Sequence, residues 1–109
     1  MKDELRSLIE ILKDKRSEHG DRLDAASYLE EYEDDEAEIT LCDICLDKSE
    51  DEDIVETSSE SLGGIWSKKG RVNSAVYHLL PRSPRLFVDA IIAQRNAVLS
   101  RELGIENSP

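Results

Sequence analysis

Helical periodicity constrains this 109-residue chain more than any other feature of its sequence. Apolar residues recur three or four positions apart along most of its length, which is the spacing of one face of an α-helix. No six-residue segment shows the clean alternation, rich in β-branched and aromatic residues, that is typical of strands. The sequence therefore predicts an all-α fold, with one helical domain over residues 1–104 and a frayed tail over 105–109.

About six antiparallel helices are predicted, stacked as a bundle or a short solenoid. Each helix is placed by an apolar stripe and by residues that favour helix ends. The predicted segments are 3–18, 21–32, 34–46, 49–69, 74–80 and 83–103. The predicted caps are Asp21, Asp34 or Asp35, a Ser49–Glu52 capping box, Asn73, and Ser83 with Pro84 as the first helical residue. The apolar stripe predicted for the last helix is Leu86, Phe87, Ala90, Ile91, Gln94, Ala97 and Val98.

A glycine pair, Gly63-Gly64, lies inside the fourth predicted helix. Each glycine costs a helix about 1 kcal/mol relative to alanine. The pair therefore predicts that a neighbouring helix approaches closely there, or that the helix bends.

Helices two and four show an internal correspondence at an offset of 33 residues. The matched positions are Ala25-Ala26 with Ser58-Ser59, Leu29 with Leu62, and Tyr32 with Ile65. A period in the thirties with two helices per unit is typical of α-solenoids. Small residues at matching positions along two neighbouring helices allow the helices to approach closely.

Over about residues 20–70 the chain resembles the HEAT-like α-solenoid repeats. An acidic turn is followed by Val55, two small residues, Leu62 and Gly63, which is the order often found in that family. The chain departs from the pattern in having Ser58 and Ser59 where the family prefers alanine, and residues 74–102 fit poorly. The resemblance implies a packed helical layer that presents a surface to another macromolecule, and no chemistry by itself.

Two cysteines form a Cys42-Asp-Ile-Cys45 motif. The pair falls in the middle of a predicted helix on its apolar stripe, whereas redox pairs usually sit at helix N-termini. A structural zinc site needs four ligands, and a second pair is missing. The motif predicts buried core cysteines, and no cofactor or metal is expected. A metal or redox role for Cys42 and Cys45 stays open as an alternative.

No catalytic signature is evident. His19 and His78 are the only histidines and neither adjoins a nucleophile motif, so the chain is not expected to be an enzyme. A C-terminal group of basic residues is interpreted as helix-end charges and counter-charges for acidic residues, and no nucleic-acid partner is expected. The group is Lys68, Lys69, Arg71, Arg82 and Arg85.

Acidic residues are concentrated in one stretch. Residues 21–60 carry seventeen Asp and Glu against Arg22 and Lys48, a net charge of -15 in a chain of net charge -11. The first twenty residues balance, with five acids and five bases, and residues 61–109 carry seven bases and three acids. Such a field costs self-repulsion, attracts basic partners and repels nucleic acid and anionic membranes.

The acidic density is greatest between the second and third predicted helices, where tyrosines interleave with carboxylates. The candidate partner-binding residues are Tyr28, Glu30, Glu31, Glu33, Asp34, Asp35, Glu36 and Glu38. The expected function is a non-catalytic module that binds a basic protein. In size, charge and lack of chemistry the chain is similar to small acidic immunity proteins, which implies neutralisation of a basic, nuclease-type bacterial toxin.

An alternative function is a HEAT-like scaffold or regulatory subunit. It would bind another protein through an apolar face of helix four or six, and Trp66 and Phe87 would be the residues to test. A cytoplasmic location is expected, because no apolar run is long enough to span a bilayer and the N-terminus lacks the apolar region of a signal peptide. No membrane partner is expected.

Overall fold

The computed structural model describes residues 2–105, and it confirms the all-α class. Within these residues there are seven α-helices, one short 3₁₀ turn and no strand. The helices are α1 Lys2–Lys13, α2 His19–Tyr28, α3 Asp35–Leu46, α4 Glu52–Lys69, α5 Ser74–Leu79, α6 Arg82–Arg95 and α7 Ala97–Glu102; the 3₁₀ turn is Leu29–Glu31. The predicted frayed tail lies outside the described residues except for Ile105, whose N–H donates to the Ser100 carbonyl at 2.9 Å.

The longest helix, α4, is the centre of the fold. It packs against α2, α3 and α6, while α1 packs against α2 and α3, and α7 against α6. Every residue from Ser61 to Ser67 is buried. This pairing of neighbours in two layers is compatible with a helical repeat or a bundle.

Small residues on α4 let its neighbours approach closely, as the glycine pair predicts. A β-carbon built on Gly63 would lie 2.9 Å from the Ile91 β-carbon and 3.0 Å from the Val88 carbonyl oxygen of α6. On the side of α2, the Ser61 hydroxyl donates to the Ala26 carbonyl at 2.7 Å. The prediction of a close helix approach is therefore confirmed.

Several predicted helix ends are confirmed. Asp34 caps α3 by accepting from the Glu36 N–H at 2.7 Å, and Asn73 caps α5 by accepting from the Val76 N–H at 3.2 Å. Gly70 ends α4 in the left-handed conformation, with φ of 76°, which glycine adopts without the steric cost that a side chain brings.

Helix starts and ends in the first half of the chain differ from the predictions. α1 ends at Lys13 rather than near residue 18, because the Asp14 carboxylate accepts the Arg16 N–H and turns the chain. α2 starts at His19, so Asp21 lies in its first turn instead of capping it. α2 also ends at Tyr28 rather than near residue 32.

The predicted Ser49–Glu52 capping box is wrong. α4 begins at Glu52 after Asp51, and no side chain caps it. The Ser49 N–H and hydroxyl both donate to the Asp47 carboxylate instead, at 2.9 and 2.7 Å. Because the Asp47 carboxylate, two residues upstream, accepts both hydrogen bonds, Ser49 does not form the predicted capping box.

The last predicted helix is two helices. α6 starts at Arg82 after Pro81, so Pro84 is its third residue, not its first. It breaks at Asn96, whose side chain accepts from the Leu99 N–H at 3.0 Å and donates to the Ser67 carbonyl at 2.9 Å.

The predicted apolar stripe of α6 is only partly correct. Val88 and Ile92 are fully buried, whereas Leu86 is 58% exposed and Val98, on α7, is 60% exposed. Ile91 of the predicted stripe does pack against Gly63 of α4, and Phe87 is half-buried.

Candidate protein-binding surface

The candidate residues lie where α2 passes through the 3₁₀ turn into α3. Tyr28, the last residue of α2, is 57% exposed. Glu31, Glu33, Asp35 and Glu36 are all exposed. The ion pairs in this region use Glu30, Asp35 and Glu38, and Glu31, Glu33 and Glu36 enter none with the side chains described for residues 3–105. We call Glu31, Glu33, Asp35 and Glu36 the acidic face.

Asp35 is only loosely neutralised. Its carboxylate is 95% exposed and lies 3.8 Å from the Lys69 ammonium. An exposed pair at that separation contributes little, so Asp35 retains most of its field. Asp34 is exposed as well, but its carboxylate is used as the α3 cap.

Glu30 is not a free surface carboxylate. It accepts a hydrogen bond from the Arg95 guanidinium of α6 at 2.6 Å, and its side chain is only 18% exposed. The pair crosses α4 directly over Gly64, where an added β-carbon would lie 2.5 Å from the Glu30 carboxyl carbon. Glu30 therefore ties the 3₁₀ turn to α6.

Glu38 is also engaged inside the protein. It accepts from the Trp66 indole N–H at 2.9 Å and pairs with Lys69, leaving its side chain 15% exposed. Burial raises the pKa of Glu38, but the hydrogen bonds from Lys69 and Trp66 together outweigh burial and hold the pKa below its usual value. Glu38 thus anchors α3 to α4.

The two tyrosines near the acidic run have different environments. The Tyr32 hydroxyl donates to the Glu4 carboxylate at 2.6 Å, and this hydrogen bond raises the pKa of Tyr32. Tyr32 packs against the core, whereas Tyr28 is exposed. Of these two tyrosines, Tyr28 therefore presents the more exposed ring.

Two side chains from the α1–α2 turn and the start of α2 contact carboxylates in the second half of the acidic stretch. Lys15 lies 3.0 Å from the Asp47 carboxylate, and His19 contacts Asp53. Hydrogen bonds from Ser49 and Lys15 lower the pKa of Asp47 to about 2. Part of the second half of the acidic stretch is therefore engaged within the protein.

The interaction that sequence reasoning missed is a buried ion pair. The Arg22 guanidinium donates to both Glu50 carboxylate oxygens at 2.9 and 2.7 Å, and it also donates to the Leu12 carbonyl. The side chains are 3% and 2% exposed. The Arg22 hydrogen bond lowers the pKa of Glu50, and the same bond raises the pKa of Arg22. The one signal in the sequence is that Arg22 is among only two bases in the acidic stretch.

The prediction that Cys42 and Cys45 are core residues is confirmed. They are free thiols, 5% and 2% exposed, and the Cys45 sulfur lies 3.3 Å from the Ser59 hydroxyl oxygen. Burial raises the pKa of Cys42 to about 12 and that of Cys45 to about 11. Both are protonated at neutral pH, and the thiol is a far weaker nucleophile than the thiolate. In residues 2–105, no cluster of three or more His, Cys, Asp and Glu side chains is arranged to hold a metal ion.

The basic C-terminal residues are partly counter-charges, as predicted. Lys69 pairs with Glu38 and Asp35, and the Lys68 ammonium lies 3.4 Å from the Glu30 carbonyl. Arg85 stacks over the Tyr77 ring at 3.9 Å from its centroid.

Comparison with protein-family models, curated proteins and solved structures finds no significant match to this chain. No helix in the described part of the chain combines the length and apolar character needed to cross a membrane.

Proposed function

We propose that this chain is a non-catalytic protein-binding module whose acidic face engages a basic protein. The observation that carries the proposal is the division of the acidic run: Glu30 and Glu38 are used internally, while Glu31, Glu33 and Glu36 remain exposed without an ion pair among the described residues. Three exposed carboxylates within six residues repel one another, and a cationic partner relieves that repulsion. Tyr28 supplies an adjacent aromatic contact of the kind enriched at interfaces.

The most concrete form of the proposal is an immunity protein for a basic, nuclease-type bacterial toxin. Carboxylates on a rigid helical framework suit this role, because they can cover the toxin's cationic nucleic-acid-binding site without presenting a nucleic acid that the toxin could cleave. The charges steer association as well as pairing in the complex. Two free, buried cysteines fit a reducing cytoplasm.

The framework in this proposal is a short HEAT-like stack. Its support is the pairing of α1 with α2 and of α3 with α4, with α1 on α3 and α2 on α4 as the layer contacts. The corresponding positions in α4 and in α2 with the 3₁₀ turn that follows it are also buried. These are Ala25, Ala26 and Leu29, matched by Ser58, Ser59 and Leu62.

Affinity capture from the chain's own cells tests the proposal. The test variant carries Glu31, Glu33, Asp35 and Glu36 all changed to Lys; Glu30 and Asp34 are spared because they pair with Arg95 and cap α3. The control variant makes the same charge change at other exposed acids, namely Glu10, Asp21, Glu56 and Glu102. A basic protein retained by the wild type and the control but lost by the test variant supports the acidic face. If both variants lose this partner protein, or if neither does, the result contradicts the acidic face as the binding surface. If the captured partner is a nuclease, equimolar chain should inhibit its hydrolysis of nucleic acid.

The alternative scaffold function is favoured by one observation, the exposed apolar residues at the end of the fold formed by α5 and α6. Leu79 is 69% exposed and Leu86 is 58% exposed. Trp66 is fully buried and offers no surface to a partner, so this alternative depends on α6. Leu86→Glu should then abolish partner capture, and the acidic-face variant should leave it intact.

A further inference from the structure

The exposed side of α5 and α6 combines two large apolar side chains with an arginine. Leu79, the last residue of α5, is 69% exposed, and Leu86 is 58% exposed. Arg82 begins α6 and lies four residues before Leu86, so the two share one side of that helix. Three peptide units join Leu79 to Arg82, which limits the distance between their α-carbons to about 11 Å. We call Leu79, Arg82 and Leu86 the α5–α6 surface.

An apolar hollow continues from this surface along α6. Its volume is about 350 Å³, and its lining consists of Leu86, Asp89, Ala90, Ala93, Gly104 and Ile105. The one charged residue in this lining, Asp89, is engaged within the protein. Its carboxylate accepts a hydrogen bond from the Tyr77 hydroxyl at 2.7 Å and lies 3.8 Å from the Arg85 guanidinium. The hollow therefore presents aliphatic side chains and a carboxylate whose charge is already balanced.

The α5–α6 surface is positively charged, in contrast to the chain as a whole. Residues 61–88 contain five bases and no Asp or Glu. Arg82 is exposed and enters no ion pair with the side chains described for residues 3–105. The first turn of α6 holds no acidic residue, and the positive end of the helix dipole has the same sign as Arg82.

The acidic residues of the α3–α4 turn do not reverse this charge. They lie beside the start of α6, in a separate hollow that neither Arg82 nor Leu86 lines. Asp47 and Glu50 are paired within the protein, and Lys48 offsets Glu52 in the same lining. This turn therefore adds no net negative charge beside the α5–α6 surface.

We propose that the α5–α6 surface binds an acidic segment of another protein that also carries apolar side chains. An apolar side chain of the segment enters the hollow beside Leu86, and a carboxylate pairs with Arg82, whose guanidinium can donate to both carboxylate oxygens. A short segment carries few charges, so the net charge of -11 repels it less than it repels a nucleic acid or an anionic membrane. The proposal goes beyond the proposed function, because the α5–α6 surface contains no residue of the acidic face.

A residue-resolved NMR titration with defined peptides tests this surface. The first probe is the capped peptide Asp-Asp-Ala-Leu-Leu, and the matched probe has Asn in place of both Asp residues. The expected result is saturable shifts of the amides of Leu79, Arg82, Leu86 and Ala90 with the acidic peptide, and weaker shifts with the neutral peptide.

Two variants and one control locate the binding. Arg82→Gln and Leu86→Ser should each weaken binding about two- to fivefold, since each removes one exposed contact. Arg16→Gln removes the same charge from an exposed residue of the α1–α2 turn, and it should leave binding nearly unchanged. All three substituted residues are exposed, and the amide spectrum itself shows whether each variant is folded.

Three results with the peptides overturn the proposal: no shifts at these amides, equal shifts with the neutral peptide, or equal weakening by Arg82→Gln and Arg16→Gln. Equal shifts with the neutral peptide would indicate an uncharged apolar occupant. If the same amides shift when the protein alone is concentrated, the occupant is a second copy of this chain. If vesicles that contain phosphatidylglycerol broaden these signals and the acidic peptide does not shift them, the occupant is a lipid surface. None of these results bears on the acidic face, which is tested with its own variant.

Discussion

The Arg22 guanidinium and the Glu50 carboxylate share two hydrogen bonds, at 2.9 and 2.7 Å, in a site where both side chains are almost completely buried. Because Arg22 also donates to the Leu12 carbonyl at 3.0 and 2.7 Å, the pair joins the end of α1 to α2 and to the α3–α4 turn. One basic residue thus contacts three segments of the fold.

Removing one partner of this pair should destabilise the protein severely. Arg22→Met leaves the Glu50 carboxylate buried without a counter-charge, and losing one member of a buried pair costs about 3–5 kcal/mol. The matched control is Lys15→Met, whose half-exposed pair with Asp47 contributes about 0–1 kcal/mol. Urea unfolding followed by circular dichroism gives both free energies.

A double variant separates the charge from the packing. Combining Arg22→Met with Glu50→Leu removes both charges, so it should be more stable than either single variant. If Arg22→Met costs no more than Lys15→Met, the buried pair is not a principal contact between these segments.

The two glycines of α4 should respond differently to alanine. Gly63→Ala places a β-carbon 2.9 Å from the Ile91 β-carbon and 3.0 Å from the α6 backbone, and overpacking of this kind costs about 1–3 kcal/mol. For Gly64→Ala, the three atoms nearest to the added β-carbon belong to the ends of the Glu30 and Arg95 side chains. The loss of that pair, about 0–1 kcal/mol, is balanced by about 1 kcal/mol gained in helix propensity. Thermal unfolding should therefore show Gly64→Ala near the wild type and Gly63→Ala clearly below it; the reverse order would contradict the packing of α6 on Gly63.

Several helix ends were predictable from the sequence because each depends on residues only a few positions apart. Asp34 and Asn73 accept from N–H groups two or three positions ahead, and Gly70 needs only its own backbone freedom. The role of Ser49 was predicted wrongly because two carboxylates, those of Asp47 and Glu52, compete for its N–H group. Asp47 is the nearer of the two along the chain, and it accepts the hydrogen bond.

Long-range partners were not predictable. Glu30 and Glu38 look like their exposed neighbours in the sequence, yet Glu30 pairs with a residue 65 positions away and Glu38 receives the Trp66 indole N–H from 28 positions away. The set of α6 residues that face the core was not fully predicted for a similar reason, since α6 packs on Gly63 of another helix. The sequence located the acidic run but not which of its carboxylates are free.

The fluorescence of Trp66, the single tryptophan, should report the ionisation of Glu38. Since the pKa of Glu38 is held below its ordinary value of 4.5, the emission should change at a pH below 4.5. A carboxylate with a lowered folded-state pKa stabilises the fold above its unfolded pKa, and that contribution is lost as the pH falls through the folded value. Glu38→Gln should abolish the transition; a wild-type transition that persists in this variant would place its origin elsewhere.

The two thiols should make the protein less stable at alkaline pH. Their folded-state pKa values of about 12 and 11 lie above the ordinary 9.0, so their contribution is complete below pH 9 and is lost as the pH rises through the folded values. Unfolding by urea at pH 8 to 10.5 should show this slope in the wild type and a smaller slope in the Cys42→Ala, Cys45→Ala variant. Thiol reagents at pH 8 should label both residues only in the unfolded chain, and rapid labelling of the native protein would contradict their burial.

The salt dependence of association with the captured partner tests the acidic face most directly. The Debye length falls from about 30 Å at 0.01 M salt to about 10 Å at 0.1 M, so attraction between exposed charges weakens steeply over this range. The association rate constant should therefore decline strongly with salt for the wild type and for the control variant with changes at Glu10, Asp21, Glu56 and Glu102. The variant with Glu31, Glu33, Asp35 and Glu36 changed to Lys should associate more slowly and with a nearly flat dependence. An unchanged rate and slope in that variant would contradict the assignment of the acidic face as the binding surface.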